Sequence, residues 1–596
     1  MRRFAGTFDE KKRKFDIKLV FWLLSYVKEM KLLMGVAVAF LLLGAMLPLA
    51  LPEIIQRAFD VYIPQGDIHG LFVIAGILLG INAALFFIQY LQVYIMTFLG
   101  QKIMYNLRLD IFSHIMRLPK RFFDKNPIGR IMTRVTSDVE ALAELLQSGL
   151  VLIISESIML VGILAFLLFK DWVLTLVTLL GTIPLLLLGM TIFRKKITVI
   201  YREMRSLVAR INAFLQESIV GMDIIQLFNR QKKDMKRFQS LNESYYKTTI
   251  RALIVNGTFF PFISFLSIFA KAFIIWFGGV QILKMQLTTG QLAAFLIFIE
   301  MFFKPLRELS QSYNIFQAAM AASEKITSIM DEPESVVYTV ENGFQGPLDG
   351  TIEFQNVWFA YDEENWVLKD VSFTIEKGET VAIVGQTGSG KTTIINLIGR
   401  FYDIQKGKIL VDGVDIKQWD ISALRRKMGI VLQDVFLFSG NVRENISLYN
   451  DEISLDEIRE IVRFVNADKF IDKLPEKYET LIMERGKALS VGQRQLLSFA
   501  RTLTYRPSVL ILDEATANID SETEKYIQEA TLRMTEGRTA IIIAHRLATI
   551  KHAHRIMVIH RGRLREAGTH EELIRRKGIY YDLYQLQYKD QELSGV

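Results

Sequence analysis

Apolar residues follow two different rhythms along this chain. Up to about residue 307 they come in long runs, and beyond residue 350 in short ones broken by glycine, proline and charge. The long runs lie near Leu32–Ile54, Leu71–Phe98, Ser148–Phe169, Trp172–Phe193, Ala252–Leu283 and Gln291–Arg307. Each is close to or above the ~20 residues that cross a bilayer as a helix, so six spans are expected. The fifth is interrupted by Lys271, the sixth by Glu300 and Pro305, and the third carries Glu156. An ionisable residue at membrane depth is a candidate for substrate contact, and near an interface it simply snorkels.

Long polar segments separate spans two and three, and spans four and five, yet both keep a helical period, as in IYREMRSLVARINAFLQESI. The spans are therefore expected to continue as helices beyond the membrane and to reverse at RFFDKNPIGR and VGMDIIQLFNR. Phe122, Phe123, Ile225, Leu227 and Phe228 at these reversals would be exposed apolar tips unless another domain covers them. Ahead of the first span, Phe15–Val27 carries an apolar stripe flanked by lysines, the pattern of a helix lying along a membrane surface. The basic N-terminus has no short apolar core with a small-residue cleavage site, so no cleaved signal is expected.

The short runs predict strands. IEFQNVWFAY alternates, and VLKDVSFTI, VAIV and VLIL follow as further strand candidates, the last two continuously apolar as in a sheet buried on both faces. An acidic, Pro- and Gly-containing stretch at 331–350 marks the change of rhythm. The expected fold class is an N-terminal all-α transmembrane domain of six helices (1–330), a linker (331–350) and a C-terminal α/β phosphate-loop domain (351–596).

Composition agrees with a chain partly in lipid: 51% of its 596 residues are hydrophobic and 41 are Phe. The net charge of +8 fits either a nucleic-acid partner or basic loops on one membrane side. Its location decides for the second. Arg108, Arg117, Lys120, Arg121 and Arg130 lie in the first long connection, and Arg194, Lys195, Lys196, Arg202, Arg205 and Arg210 in the second. Lys and Arg concentrate on the cytoplasmic side of membrane proteins, which puts both connections and both termini there. With no cysteine, disulfides, thiol nucleophiles and cysteine-held metals are excluded.

The candidate chemistry starts at VAIVGQTGSGKTT, where a strand, a glycine turn and a helix N-terminus succeed one another. Gly385, Gly390, Lys391 and Thr392 meet the spacing G-x-x-x-x-G-K-[ST]. Glycines let the backbone wrap an anion, N–H groups and the helix dipole point at it, Lys391 adds a charge, and the Thr392 hydroxyl suits Mg2+. Downstream, the apolar strand Val509–Leu512 ends in Asp513 and Glu514. Asp513 can hold Mg2+ through its shell while Glu514 polarises the attacking water. Tyr361 can stack on a nucleobase. Ser490 and Gly492 open a helix and form a second anion-binding end, one that serves a nucleotide on a partner subunit. Gln433 and His545 each follow an apolar strand and can reach the γ-phosphate from the same sheet edge.

Taken in order, these elements resemble an ATP-binding-cassette half-transporter of the exporter type over essentially the whole chain. The resemblance makes Tyr361 the A-loop aromatic and Gly385, Gln386, Thr387, Gly388, Ser389, Gly390, Lys391, Thr392 and neighbouring Thr393 the Walker A cradle. It makes Gln433 the Q-loop residue, also toward the metal, and Leu489–Gln493, with Ser490, Gly492 and Gln493, the signature. Val509–Glu514 becomes Walker B, Asp520 the end of the D-loop and His545 the switch histidine. It implies ATP and Mg2+ as ligands, a nucleotide sandwich with a second half-transporter, and catalysis by Glu514 with Gln433 and His545. Residues 484–486, ERG, resemble the loop before the signature. Two departures stand out: Val491 replaces the first glycine of LSGGQ, and the D-loop reads ANID rather than SALD. They favour a heterodimer over a homodimer.

The function expected is ATP-driven efflux of small amphipathic compounds across the cytoplasmic membrane by alternating access. Phe259, Phe260, Phe262, Phe265, Phe269 and Phe273 suit an aromatic cavity and equally suit lipid. A lipid flippase or a peptide exporter is the alternative. A soluble cassette ATPase acting on nucleic acid is disfavoured by the six runs.

Overall fold

A computed structural model describes residues 22–26, 28–334, 343–362, 365–483, 486–513, 519–543 and 547–587. Most of the Phe15–Val27 stripe, the stretch 335–342 of the 331–350 linker, Glu484 and Arg485 lie outside the described residues.

Among the described residues, six helical segments are long and apolar enough to cross a membrane: Lys28–Tyr62, Ile68–Arg117, Ile128–Lys170, Trp172–Val220, Gln231–Leu283 and Thr289–Leu306. Each contains the corresponding hydrophobic run, to within a residue of Arg307. Four of them far exceed the membrane thickness. The fourth reaches 49 residues and the fifth 53, about 75 Å and 80 Å at 1.5 Å per residue, so the helical period in the polar connections continues the spans.

The chain divides into two compact units, residues 1–115 with 128–331, and residues 116–127 with 332–596. In the first unit the fourth and fifth spans run alongside each other. Gly189 leaves room for the Phe262 ring, which a Cβ at that position would meet at 2.2 Å, and Phe193 stacks on Phe259 with centroids 4.0 Å apart. Phe259 and Phe262 therefore belong to the core of this unit, whereas Phe265 and Phe269 are exposed. The aromatic row of span five is divided between packing and surface. The side chain of Phe260 lies outside the described residues.

The connection expected to reverse at RFFDKNPIGR does so through a short helix α1 (Lys120–Lys125), followed by Asn126 in an extended conformation. The second reversal is α2 (Met222–Leu227), begun at Gly221. Phe122 is buried and Phe123 exposed. At the second, Ile225 is half-buried, while Leu227 and Phe228 are 72% and 66% exposed among the described residues.

Among its described residues the second unit contains twelve strands. They are β1 (Ile352–Ala360), β2 (Trp366–Ile375), β3 (Thr380–Val384), β4 (Lys406–Val411), β5 (Val414–Asp415), β6 (Met428–Val431), β7 (Gly440–Asn441), β8 (Leu481–Ile482), β9 (Val509–Asp513), β10 (Thr539–Ile543), β11 (Arg555–His560) and β12 (Arg563–Gly568). An antiparallel sheet has the order β2-β1-β4-β5, and the larger sheet the order β12-β11-β3-β10-β9-β6. In the larger sheet β11, β3, β10, β9 and β6 are mutually parallel. Every residue of β3, β9 and β10 is buried, the pattern of a parallel sheet covered on both faces.

Candidate nucleotide site

Four parallel strands, in the order β3, β10, β9, β6, bring the candidate residues to one edge. The phosphate loop leaves the C-terminal end of β3 and Asp513 closes β9, with β10 between them. Gln433 follows β6 by two residues, on the exposed loop beyond the sheet. Glu514 and His545 lie outside the described residues, the first one position past β9 and the second two past β10. Ligands of open parallel sheets bind at this end of the strands.

Helix α3 (Lys391–Ile398) begins at Gly390, which has φ +108°. Gly388 and Gly390 both take positive φ, a conformation that costs a side chain and is free to glycine. Gly385 is required for a different reason: a Cβ there would meet the Ile559 carbonyl oxygen at 2.2 Å. Lys391 is buried and donates to the carbonyl oxygens of Gly385 at 2.7 Å and Gln386 at 3.2 Å. Burial pushes its ammonium below the ordinary lysine range, and the charge of Asp513 opposes that. Asp513 is pushed up by its own burial, held back by Lys391, and pushed up further by Asp434, the neighbour of Gln433. The Ser389 hydroxyl is buried and has no hydrogen-bond partner among the described residues.

A lysine folded onto its own loop, an orphaned hydroxyl and glycines at positive φ fit the phosphates of a nucleotide. Thr392 is exposed, as are the loop residues Gln386, Thr387 and Gly388.

Helix α4 (Val491–Thr504) is capped by Ser490. Its hydroxyl accepts from the Gln493 amide at 3.2 Å, and the Gln493 side chain accepts from the Ser490 amide at 3.0 Å. This reciprocal box orders the helix N-terminus. Ser490 and Val491 are exposed. A Cβ on Gly492 would meet the Thr523 methyl at 2.4 Å, so the glycine lets α4 approach α5 (Ser521–Thr535). Asp520 caps α5 by accepting from the Thr523 amide at 2.9 Å, a bond that holds its carboxyl below the usual carboxylate range.

Sequence reasoning missed a polar group around Tyr361. The Tyr361 hydroxyl lies 3.2 Å from that of Thr393 and accepts from the Asn396 amide at 3.4 Å. Asn396 in turn accepts from the Lys120 ammonium of α1 at 3.2 Å. The Tyr361 ring packs edge-on against Tyr402, centroids 5.1 Å apart, and the Tyr402 hydroxyl donates to Asp124 of α1. Burial and this bond raise the Tyr402 hydroxyl well above the ordinary tyrosine range, so it remains a donor. Both ends of α1 are thus attached to residues that touch Tyr361. The one sequence signal was Asn396, a buried amide in the otherwise apolar second half of α3.

Six membrane-length helices joined to a sheet that presents a phosphate loop define a membrane-embedded ATPase. Residues 34–306 match the ABC transporter transmembrane region and residues 368–517 the ABC transporter family. The chain is 38% identical over 599 residues to an uncharacterized ABC transporter ATP-binding protein, YknV, of Bacillus subtilis (strain 168), covering 99% of this chain and 98% of that one. A probable multidrug resistance ABC transporter ATP-binding/permease protein of the same organism, YheH, is 38% identical over 89% of this chain and 79% of its own. An ATP-dependent lipid A-core flippase of Syntrophus aciditrophicus (strain SB) is 37% identical over 85% and 84%. The chain belongs to the ABC transporter family. It is a multi-pass membrane protein of the exporter type that binds ATP and couples its hydrolysis to transport.

Proposed function

We propose that this chain is one half of an exporter moving small amphipathic compounds out of the cell across the cytoplasmic membrane, with both termini in the cytoplasm. The observation that carries the reading is the shared sheet edge of Lys391, Asp513 and Gln433, in a unit whose nucleobase-side tyrosine is tied to α1. In this reading the membrane domain is 1–330, the linker 331–350 and the cassette 351–596.

Tyr361 receives the base. Gly385 to Thr393 hold the phosphates, Glu514 takes the proton of the attacking water, and Gln433 and His545 orient it. Ser490, Gly492, Gln493 and Asp520 face the nucleotide of a second half-transporter. Thr392, Gln433 and Asp513 would hold Mg2+, which when bound neutralises phosphate charge. Closure of two cassettes over ATP shifts the helices between inward and outward access, and hydrolysis reverses it.

The exposed apolar residues Leu227 and Phe228 at the second reversal support a second chain. Val491 in the signature supports a different chain rather than a copy of this one. Names among the relatives include multidrug resistance and lipid flippase, and they support amphiphiles as the substrate class, with a lipid flippase as the second reading. The test is reconstitution in liposomes, with and without a candidate partner, measuring amphiphile movement and ATPase rate. Lys391→Ala should abolish both. Uptake indifferent to that change would overturn the reading, and full ATPase activity of this chain alone as a homodimer would overturn the heterodimer.

The α1 attachments carry a separate expectation. Tyr402→Phe removes one hydrogen bond, worth about 1 kcal/mol, and Asn396→Ala removes the other link. The double variant should keep basal ATPase within about fivefold, since Lys391, Asp513 and Glu514 are untouched. Its stimulation by transported amphiphile should fall by more than half, read as phosphate release with and without substrate.

A further inference from the structure

The Lys120 ammonium carries donors and no acceptor, so the Asn396 atom it meets at 3.2 Å is the carbonyl oxygen. That leaves the amide nitrogen of Asn396 facing Tyr361, where it donates to the phenol oxygen at 3.4 Å. Having accepted from Asn396, the Tyr361 hydroxyl turns its own hydrogen toward the Thr393 oxygen at 3.2 Å. Donation therefore runs in one direction, from Lys120 of α1 to Asn396 of α3, then to Tyr361 and back to Thr393 of α3. Asn396 and Thr393 are buried, and Lys120 and Tyr361 are half-buried.

Packing restrains the same ring. Tyr361 follows β1 by one residue and meets Phe359 of that strand edge-on, centroids 4.9 Å apart, as it meets Tyr402. Tyr402 is held in turn by Asp124 of α1. The Lys120 ammonium also lies over the rings of Phe401 and Tyr402, 5.1 Å and 5.9 Å from their centroids. One charge of α1 thus touches both a ring beside Tyr361 and the amide that binds its hydroxyl.

A base that stacks on a mobile aromatic ring must immobilise it on binding. Ordering one such side chain in advance is worth about two- to tenfold in affinity. The phosphates draw on other groups. Lys391 is held by the Gly385 and Gln386 carbonyls, and the glycine turn offers backbone amides, so the four-residue relay bears on the base and not on the phosphate cradle.

We infer that Asn396 and Lys120 are positioning residues for the base of ATP: they hold the Tyr361 ring in the orientation that stacks on it. The seat of α1 thereby sets the affinity for the base and leaves the grip on the phosphates unchanged. The inference deepens the reading of Tyr361 as the residue that receives the base, and rests on it.

The test uses the full-length chain in detergent, with its partner chain if one is required, and two probes: ATP, and inorganic tripolyphosphate, which carries the phosphates and no base. Dissociation constants are measured by calorimetric titration without Mg2+, so that neither probe is hydrolysed. Their ratio is taken within each variant, so that a general loss of structure cancels. Tyr361→Phe keeps the ring and removes the hydroxyl. Asn396→Leu fills the same buried space without donor or acceptor, and Lys120→Met keeps the packing over Phe401 and Tyr402 without the charge. Each should weaken ATP about three- to tenfold and leave tripolyphosphate within about twofold of native. Lys120→Arg restores a donor and should bind ATP like the native protein. Tyr361→Phe combined with Asn396→Leu should cost no more than either alone, because both break one relay. A ratio unmoved in Tyr361→Phe, or in both Asn396→Leu and Lys120→Met, overturns the inference, as does an additive double variant. Tyr361→Leu separates the two levels: if it moves the ratio, Tyr361 still receives the base without the relay, and if it does not, that underlying reading falls as well.

Discussion

Glu514→Gln is expected to lower ATP turnover by about 10²- to 10⁴-fold, the usual contribution of a general base, while ATP binding persists. Gln keeps the size and the hydrogen-bonding capacity of the side chain and loses only the ability to accept a proton. In this reading binding rests on Lys391 and the glycine turn after β3, so the two properties should separate. Phosphate release under saturating ATP measures the first and a fluorescent nucleotide titration the second. The variant should accumulate with its cassettes closed, detectable as a cross-link between Ser490 of one chain and the phosphate loop of the other after cysteines are introduced into this cysteine-free sequence. Turnover near the native rate would remove Glu514 from the role of base.

Gly385→Ala is expected to cost both fold and nucleotide. The residue has φ +154° and its absent Cβ would lie 2.2 Å from the Ile559 carbonyl oxygen on the adjacent strand β11. A side chain in such a backbone conformation costs about 1–3 kcal/mol, and overpacking against a neighbour that cannot yield typically costs about 1–3 kcal/mol more. The obstacle is backbone, so β3 and β11 must separate, and Lys391 loses the carbonyl of Gly385 that now holds it at 2.7 Å. Nucleotide affinity should fall more than tenfold, and thermal unfolding of the detergent-solubilised protein should move down by several degrees. Gly388→Ala is the control. It has φ +79° with nothing within 4 Å, so it carries the backbone strain without the clash and should show the smaller loss. Equal effects of the two substitutions would make conformational strain the whole cause.

Much of this protein was readable from its residues in order. A run of some twenty apolar residues crosses a bilayer whatever its neighbours, and a strand followed by GQTGSGKT places backbone amides and a lysine at a helix start by local geometry alone. Those features depend on residues a few positions apart, so the six spans, the α/β class and the phosphate loop required no knowledge of the fold. The helix start at Ser490 was legible in the same way, whereas its reciprocal cap with Gln493 was not read from the sequence.

Tertiary structure decided which distant groups meet. Lys120 reaches Asn396 across 276 positions and Tyr402 reaches Asp124 across 278, and neither pairing leaves a period or a spacing in the sequence. Lys271 and Glu300 read singly as two unrelated charges in two spans, and only helix packing made them one ion pair. The demand for glycine at position 385 comes from β11, a strand formed more than 150 residues later. A close approach between elements is set by how whole faces pack, and that information lies in the sum of many side-chain volumes rather than in any one stretch of chain.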